Sequence, residues 1–154
     1  MKTLLIDKTR HRLTLLAEDG RPLFTCRAAF GRAEGAKRRS GDLRTPEGRY
    51  FVCLRKEQGK FGPSLGISYP SYGDALAGVR LGIIGEDLLP LFRTSAVSRT
   101  RPPWGTGLGG EIYIHAGGSA ENWTAGCIAL DAGDMESLFP LCGEGTEIVI
   151  YQGE

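Results

Sequence analysis

No stretch of the 154 residues approaches the roughly 20 consecutive apolar residues that a membrane-crossing helix needs. Charge of one sign is missing too. Lys and Arg number 19 against 18 Asp and Glu, a net charge of +1, so nothing calls for nucleic acid or an acidic membrane surface as a partner. There are two histidines, and the four cysteines (Cys26, Cys53, Cys127, Cys142) form no C-x-x-C pair. A closed zinc site would have to be assembled from scattered residues, so no metal is expected. The N-terminus, MKTLLIDKTRHRLTLL, has a short apolar patch cut off by Asp7 and Lys8. That patch is too short for the core of a signal peptide, and the chain as written carries no export signal.

Glycine, by contrast, is plentiful: 23 glycines and 8 prolines punctuate short apolar runs. This pattern favours a mainly β fold over a helical bundle, and the length suits a single domain spanning residues 1–154. Thr3–Ile6, Arg12–Ala17 and Leu23–Phe30 read as a meander, with Asp19-Gly20 supplying the tight turn before the third strand. Residues 31–44, GRAEGAKRRSGDLR, read as a solvated basic loop or as a rim attracting a carboxylate-bearing substrate. The Thr45-Pro46-Glu47-Gly48 turn launches Arg49–Arg55, apolar on both faces and therefore expected at the centre of a sheet. Glu57–Pro63 reads as a loop, Leu65–Tyr69 as a strand and Pro70–Ala77 as a brief helix.

Gly82–Phe92, interrupted by Pro90, promises one or two helical turns at most. Arg93–Gly110 reads as a long loop and a candidate flap. Its Gly105-x-Gly107-x-Gly109-Gly110 run precedes a strand instead of opening a helix, which excludes a dinucleotide fingerprint. Near the end, Asp131 reads as an N-cap for a helix carrying Met135, Leu138, Phe139 and Cys142 on one core-facing stripe. Thr146–Tyr151 closes the chain as a strand. Cys26 and Cys53 sit inside strand patterns as buried thiols, and the sequence leaves a disulfide undecided.

The chemistry concentrates in Glu111–Leu130, EIYIHAGGSAENWTAGCIAL. A short apolar strand ends on His115, and Cys127 opens a second one. If the two strands are neighbours, an imidazole meets a thiol, as a cysteine nucleophile requires. Gly126 can adopt angles that aim an N–H at a ligand, and the N–H groups around Cys127 are candidates for holding an oxyanion. Histidine precedes cysteine by twelve residues, which fits neither the papain-like order nor the caspase spacing. Taken singly, a lone histidine and a lone cysteine are usually structural.

Several motifs, in order along nearly the whole chain, resemble the catalytic domain of bacterial L,D-transpeptidases. These are the DKTRHRLTLL-type opening strands, Gly41-Asp42-x-x-Thr45-Pro46-Glu47-Gly48-Arg49-Tyr50, Ser64-Leu65-Gly66-Ile67-Ser68-Tyr69-Pro70, Ile114-His115-x-Gly117-Gly118 and Trp123-Thr124-x-Gly126-Cys127-Ile128-Ala129-Leu130. The resemblance implies a β-sandwich or open barrel with one or two short helices. It implies Cys127 as nucleophile, His115 as base oriented by a backbone carbonyl, and Gly126 and Cys127 at the oxyanion site. Thr124, Ala125, Gly117 and Trp123 are then expected around the substrate.

The implied activity is acyl transfer from a stem tetrapeptide, through a cysteine thioester, to an amine acceptor. That places the chain in cell-wall biosynthesis and cell shape at the bacterial envelope or periplasm. The partners are peptidoglycan stem peptides, with carbapenem-type β-lactams as covalent inhibitors, and no cofactor is required. The alternatives are an L,D-carboxypeptidase or envelope peptide hydrolase using the same pair, and a non-catalytic peptidoglycan-binding module. The sequence departs from the commoner family pattern at two positions. Ala125 stands where that pattern has a histidine, and Ala129 where it has an arginine. Basic residues of the long loops (Arg38, Arg80, Arg99, Arg101) are the candidates to replace that arginine.

Overall fold

Alternation of apolar and polar residues does most of the building. Leu4, Ile6, Leu13 and Leu15 are fully buried while their neighbours face outward, the period-two pattern of a sheet with one face on a core. The computed structural model describes residues Met1–Glu154. Its strands are β1 (Thr3–Asp7), β2 (Arg12–Leu16), β3 (Pro22–Arg27), β4 (Gly48–Gly59), β5 (Gly62–Ile67), β6 (Tyr113–Ala116), β7 (Ile128–Leu130) and β8 (Glu147–Tyr151). The helices are α1 (Tyr72–Arg80), α2 (Leu89–Ser98) and α3 (Ala132–Leu138).

The strands form one sheet in the order β3-β2-β1-β8-β4-β5-β6-β7. Pairing is antiparallel except for β1 with β8 and β6 with β7, which are parallel. The sheet curls until its two ends meet. Just beyond β3, Ala29 and Ala129 exchange two hydrogen bonds of 2.9 Å each, so the open order is nearly a closed barrel. Inside it a 21-residue cluster packs α3 against the sheet through Met135, Leu138 and Cys142. Outside it, α1, α2 and the segment before β6 bury a second cluster of Ala75, Ile84, Phe92 and Leu108.

Four local expectations change. First, β4 continues to Gly59 and pairs with β5 through a tight turn at Lys60-Phe61, so Glu57–Pro63 is the tip of a long hairpin. Second, Pro90 occupies the first turn of α2, where its missing N–H is no loss and its fixed φ suits the helix. Together with α1, which Ser71 and Asp74 close with a capping box, this makes three helices instead of one or two.

Third, residues 93–98 of the expected loop are helical as part of α2, and the segment before β6 is tied down. Leu108 is buried, its amide neighbourhood pinned by Tyr69 Oη donating to the Leu108 carbonyl at 2.8 Å, and Trp104 Nε1 donates to the Tyr69 carbonyl at 3.0 Å. Fourth, Asp131 sits at the N-cap of α3 but makes no side-chain cap. Its carboxylate instead accepts from the Ser119 amide at 2.9 Å and the Ser119 hydroxyl at 3.0 Å, tying the loop after β6 to the start of α3. All four cysteines are free thiols.

Candidate active site

The strands β6 and β7 lie side by side in parallel, with His115 opposite Ala129. Extending that register by one residue before β7 sets Cys127 against Tyr113, and the Tyr113 amide donates to the Cys127 sulfur at 3.4 Å. Cys127 and His115 therefore line one cavity of about 190 Å³ together with Tyr113, Phe61 and Ser64. Neither other histidine nor other cysteine of the chain lines it.

The turn that presents Cys127 is held from both sides. Thr124 Oγ1 donates to the Cys127 carbonyl at 2.7 Å and accepts from the Gly126 amide at 3.1 Å. Thr45 Oγ1 accepts from the Gly31 amide and donates to the Gly126 carbonyl, each at 2.9 Å. Gly126 has φ +138°, and a Cβ there would lie 2.8 Å from the Arg44 carbonyl oxygen. No other residue fits so close an approach. The basic loop 31–44 thus packs under the turn, and it is not merely solvated. Within it Asp42 accepts from the amides of Arg38, Arg39 and Arg44 and pairs with Lys37 Nζ at 3.0 Å.

On the other wall the imidazole is clamped by aromatic rings. Phe61, from the hairpin tip, stacks on His115 with centroids 4.5 Å apart and planes 13° apart. Trp123 meets His115 edge-on at 5.8 Å, and its indole N–H donates to the Gly118 carbonyl at 2.9 Å. Gly117, at φ +131°, lets that indole approach, since a Cβ would lie 2.6 Å from the ring. His115 Nδ1 is bonded to the Ala116 carbonyl. A carbonyl only accepts, so Nδ1 carries the hydrogen and Nε2 keeps a lone pair.

Burial sets the resting protonation of the pair. Burial lowers the His115 pKa below 6.5, with the Ala116 carbonyl opposing, so the ring is neutral at pH 7. Burial likewise raises the Cys127 thiol above 9.0, only partly countered by the Tyr113 amide and the Lys37 charge. The sulfur's acceptor is the Glu111 carbonyl at 3.6 Å, and no hydrogen bond joins it to the imidazole. The pair rests as neutral thiol and neutral imidazole facing one cavity.

The remaining expected site residues fall around this pair. Ala125 is exposed beside the turn, and its amide, like that of Cys127, has no protein acceptor. The Gly126 amide is already taken by Thr124. That leaves the Ala125 and Cys127 amides as the unpaired donors of the turn. Ala129 is fully buried and pairs with both His115 and Ala29, which leaves no room for a long side chain. None of the four candidate arginines lines the cavity. Arg99 pairs with Glu147 at 2.8 Å, and Arg101 lies over Trp104. Lys56 and Lys60 of the hairpin are the cavity's cations, and Phe61 is its unforeseen aromatic. Both escaped notice because the hairpin tip reads as an ordinary polar loop.

A family model described as the L,D-transpeptidase catalytic domain, YkuD, matches residues 1–150. No curated protein sequence matches the chain. Among solved structures, the chain resembles the helical cell shape determining protein Pgp2 from Campylobacter jejuni, with TM-score 0.71, 22% identity, and coverage of 99% of this chain and 48% of that one. It also resembles an L,D-transpeptidase from Mycobacterium tuberculosis H37Rv, with TM-score 0.59 and 15% identity over 98% of this chain and 57% of that one. A third neighbour is LD transpeptidase LdtMt1 in complex with imipenem, at TM-score 0.55 and 13% identity over 97% of this chain and 58% of that one. The chain spans about half the length of the structures it matches.

Proposed function

This chain belongs to the family of L,D-transpeptidase catalytic domains, and from that premise we propose that it transfers an acyl group from a peptidoglycan stem tetrapeptide through a thioester on Cys127. The single observation that carries this reading is the shared cavity of Cys127 and His115, with Nδ1 fixed by the Ala116 carbonyl and Nε2 left as a base. When substrate enters, the thiol leaves the Glu111 carbonyl and turns to Nε2. As sulfur bonds to the carbonyl carbon of the third residue, its proton passes to Nε2. The amides of Ala125 and Cys127 hold the oxyanion. The imidazolium then protonates the nitrogen of the departing D-alanine as the C–N bond breaks, leaving the thioester. An acceptor amine attacks next, gives its proton to Nε2, and the sulfur recovers that proton as the C–S bond opens. Trp123 and Gly117 fix the imidazole, and Thr124 fixes the turn.

The site of action on this reading is the cell envelope; no helix of the chain is long and apolar enough to cross a membrane. The solved complex of a structural neighbour with imipenem supports carbapenem binding here, and a covalent adduct on Cys127 is the outcome this reading expects. Incubation with imipenem and intact-mass measurement tests the nucleophile: the protein gains one drug mass, and Cys127→Ala gains none. An unmodified native protein would sink the assignment. A second acceptor, water, makes the same thioester an L,D-carboxypeptidase intermediate, and the half-buried position of Cys127 leaves water a path to it. Isolated muropeptides separate the two, since crosslinked dimers report transfer to an amine and shortened monomers report hydrolysis.

A further inference from the structure

The β4–β5 side of the cavity carries Lys56 on the strand and Lys60 at the hairpin turn. Neither ammonium has an acidic partner: the ion-pair cations of the chain are the N-terminus, Lys8, Arg10, Lys37 and Arg99. No Asp or Glu lines the cavity. Lys56 Nζ instead lies 4.7 Å over the Tyr113 ring, and Lys60 Nζ lies 5.5 Å over the Phe61 ring. Tyr113 and Phe61 are the aromatic walls of the opening, and Tyr113 is braced from behind by Trp104 edge-on at 5.6 Å. An ammonium resting on an aromatic face is localised by the ring quadrupole while its N–H donors stay free. The cavity thus offers two located, unneutralised cations on the same lining as the Cys127 thiol and the His115 imidazole. Such a site attracts and orients an anion, and two ammonium groups bind a carboxylate with charge-assisted hydrogen bonds.

We propose that Lys56 and Lys60 form a carboxylate-binding subsite that selects acyl donors bearing a free carboxylate next to the bond that breaks. The proposal rests on the acyl-donor reading of the same cavity. Two groups of a stem peptide present that chemistry close to the reacting carbonyl: the terminal carboxylate of the departing D-alanine and a carboxylate on the side chain of the third residue. The lysines are positioning residues, since they grip the donor and leave the bond chemistry to Cys127 and His115.

The test uses the full chain carrying Cys127→Ala, so that binding is read without turnover. Calorimetric titration compares three synthetic tetrapeptides: the free acid, its C-terminal amide, and the peptide amidated on the third residue's side chain. The free acid is expected to bind about tenfold more tightly than one of the two amides, a modest factor because the cations are exposed. Raising the salt should narrow the gap. The amide that loses affinity identifies the carboxylate gripped. Adding Lys56→Ala and Lys60→Ala together abolishes the preference, whereas Lys56→Arg with Lys60→Arg retains it, and all variants melt at the same temperature because both side chains are exposed. Equal affinity for all three peptides, no binding of any, or a preference that survives the double alanine variant overturns the subsite. Thioester formation by the Cys127 protein is measured separately by mass. Its absence beside an intact, lysine-dependent preference refutes acyl transfer and leaves the subsite standing.

Discussion

At the scale of single residues, burial acts in opposite directions on the two reacting groups. It favours the protonated Cys127 thiol and the unprotonated His115 ring, so on the proposed acyl-transfer reading the proton moves during attack instead of beforehand. A sign follows for pH. In its proposed role as base His115 must be neutral, and its neutral fraction grows as pH rises through a pKa held below 6.5. Acylation by a carbapenem should therefore climb with pH, level off by about neutrality and stay level to pH 8. Alkylation by iodoacetamide, which needs the thiolate, should be slow at pH 7 and accelerate past pH 9. A fast alkylation plateau already present at pH 6 would show a preformed thiolate–imidazolium pair and contradict this resting state. Phe61 has its own readout: Phe61→Ala removes the stacked ring from His115 and should lower the acylation rate by about tenfold or more, as misplacing the proposed base would, with a smaller effect on melting temperature because Phe61 sits at the hairpin tip, 37% exposed.

At the scale of elements, the loop 31–48 is the least obvious part of the machinery. Its Thr45 hydroxyl joins Gly31 to Gly126, and its Asp42 gathers three amides and a buried ammonium. Thr45→Val keeps the shape but leaves a buried amide and a buried carbonyl unpaired, at a cost of about 1–3 kcal/mol. Acylation should fall more than stability does, since the lost contact is to the carbonyl of the peptide bond that joins Gly126 to Cys127. Asp42→Ala strands Lys37 as an unpaired buried charge and should cost about 3 kcal/mol in denaturant titration. The Asp42 pKa is lowered below 3.8 by the amides and the Lys37 contact that outweigh burial. Its stabilising contribution is thus present above the unfolded value and lost as pH falls through the lower folded one. In Asp42→Ala the corresponding acid-side loss of stability should be missing.

At the scale of the molecule, the site exists because the sheet closes. The strand that follows Cys127, β7, is the last in the order and would be a bare edge without the Ala29–Ala129 pair. An open edge here frees β7 to shift relative to β6, and with it Cys127 relative to His115. Ala29→Pro removes the donor to the Ala129 carbonyl and places a ring where a backbone must pack, costing about 3 kcal/mol. For a chain of this size that is a drop in melting temperature on the order of 10 °C. Carbapenem acylation at low temperature, where the variant stays folded, should slow as well. A variant with native melting and native acylation would show that closure is incidental to the site.

The sequence by itself determined the local pieces whose signal is local. Alternation marked the outer strands, Asp19-Gly20 their turn, double-sided apolarity the central β4, and the 3.6-residue stripe through Met135 and Leu138 the core face of α3. It also marked Cys127 and His115 as the pair to watch, and the closed register of β6 with β7 then brought both to one cavity. What only the tertiary structure decided depends on residues far apart in the chain. The hairpin tip carrying Lys56, Lys60 and Phe61 has no periodic signal, and its meaning comes from folding over a strand some fifty residues later. The use of Asp131 for Ser119 instead of a helix cap, and of Thr45 for Gly126, are choices between competing partners that no short window contains. The protonation of Cys127 was decided last, because desolvation belongs to the whole cavity and to no residue in it.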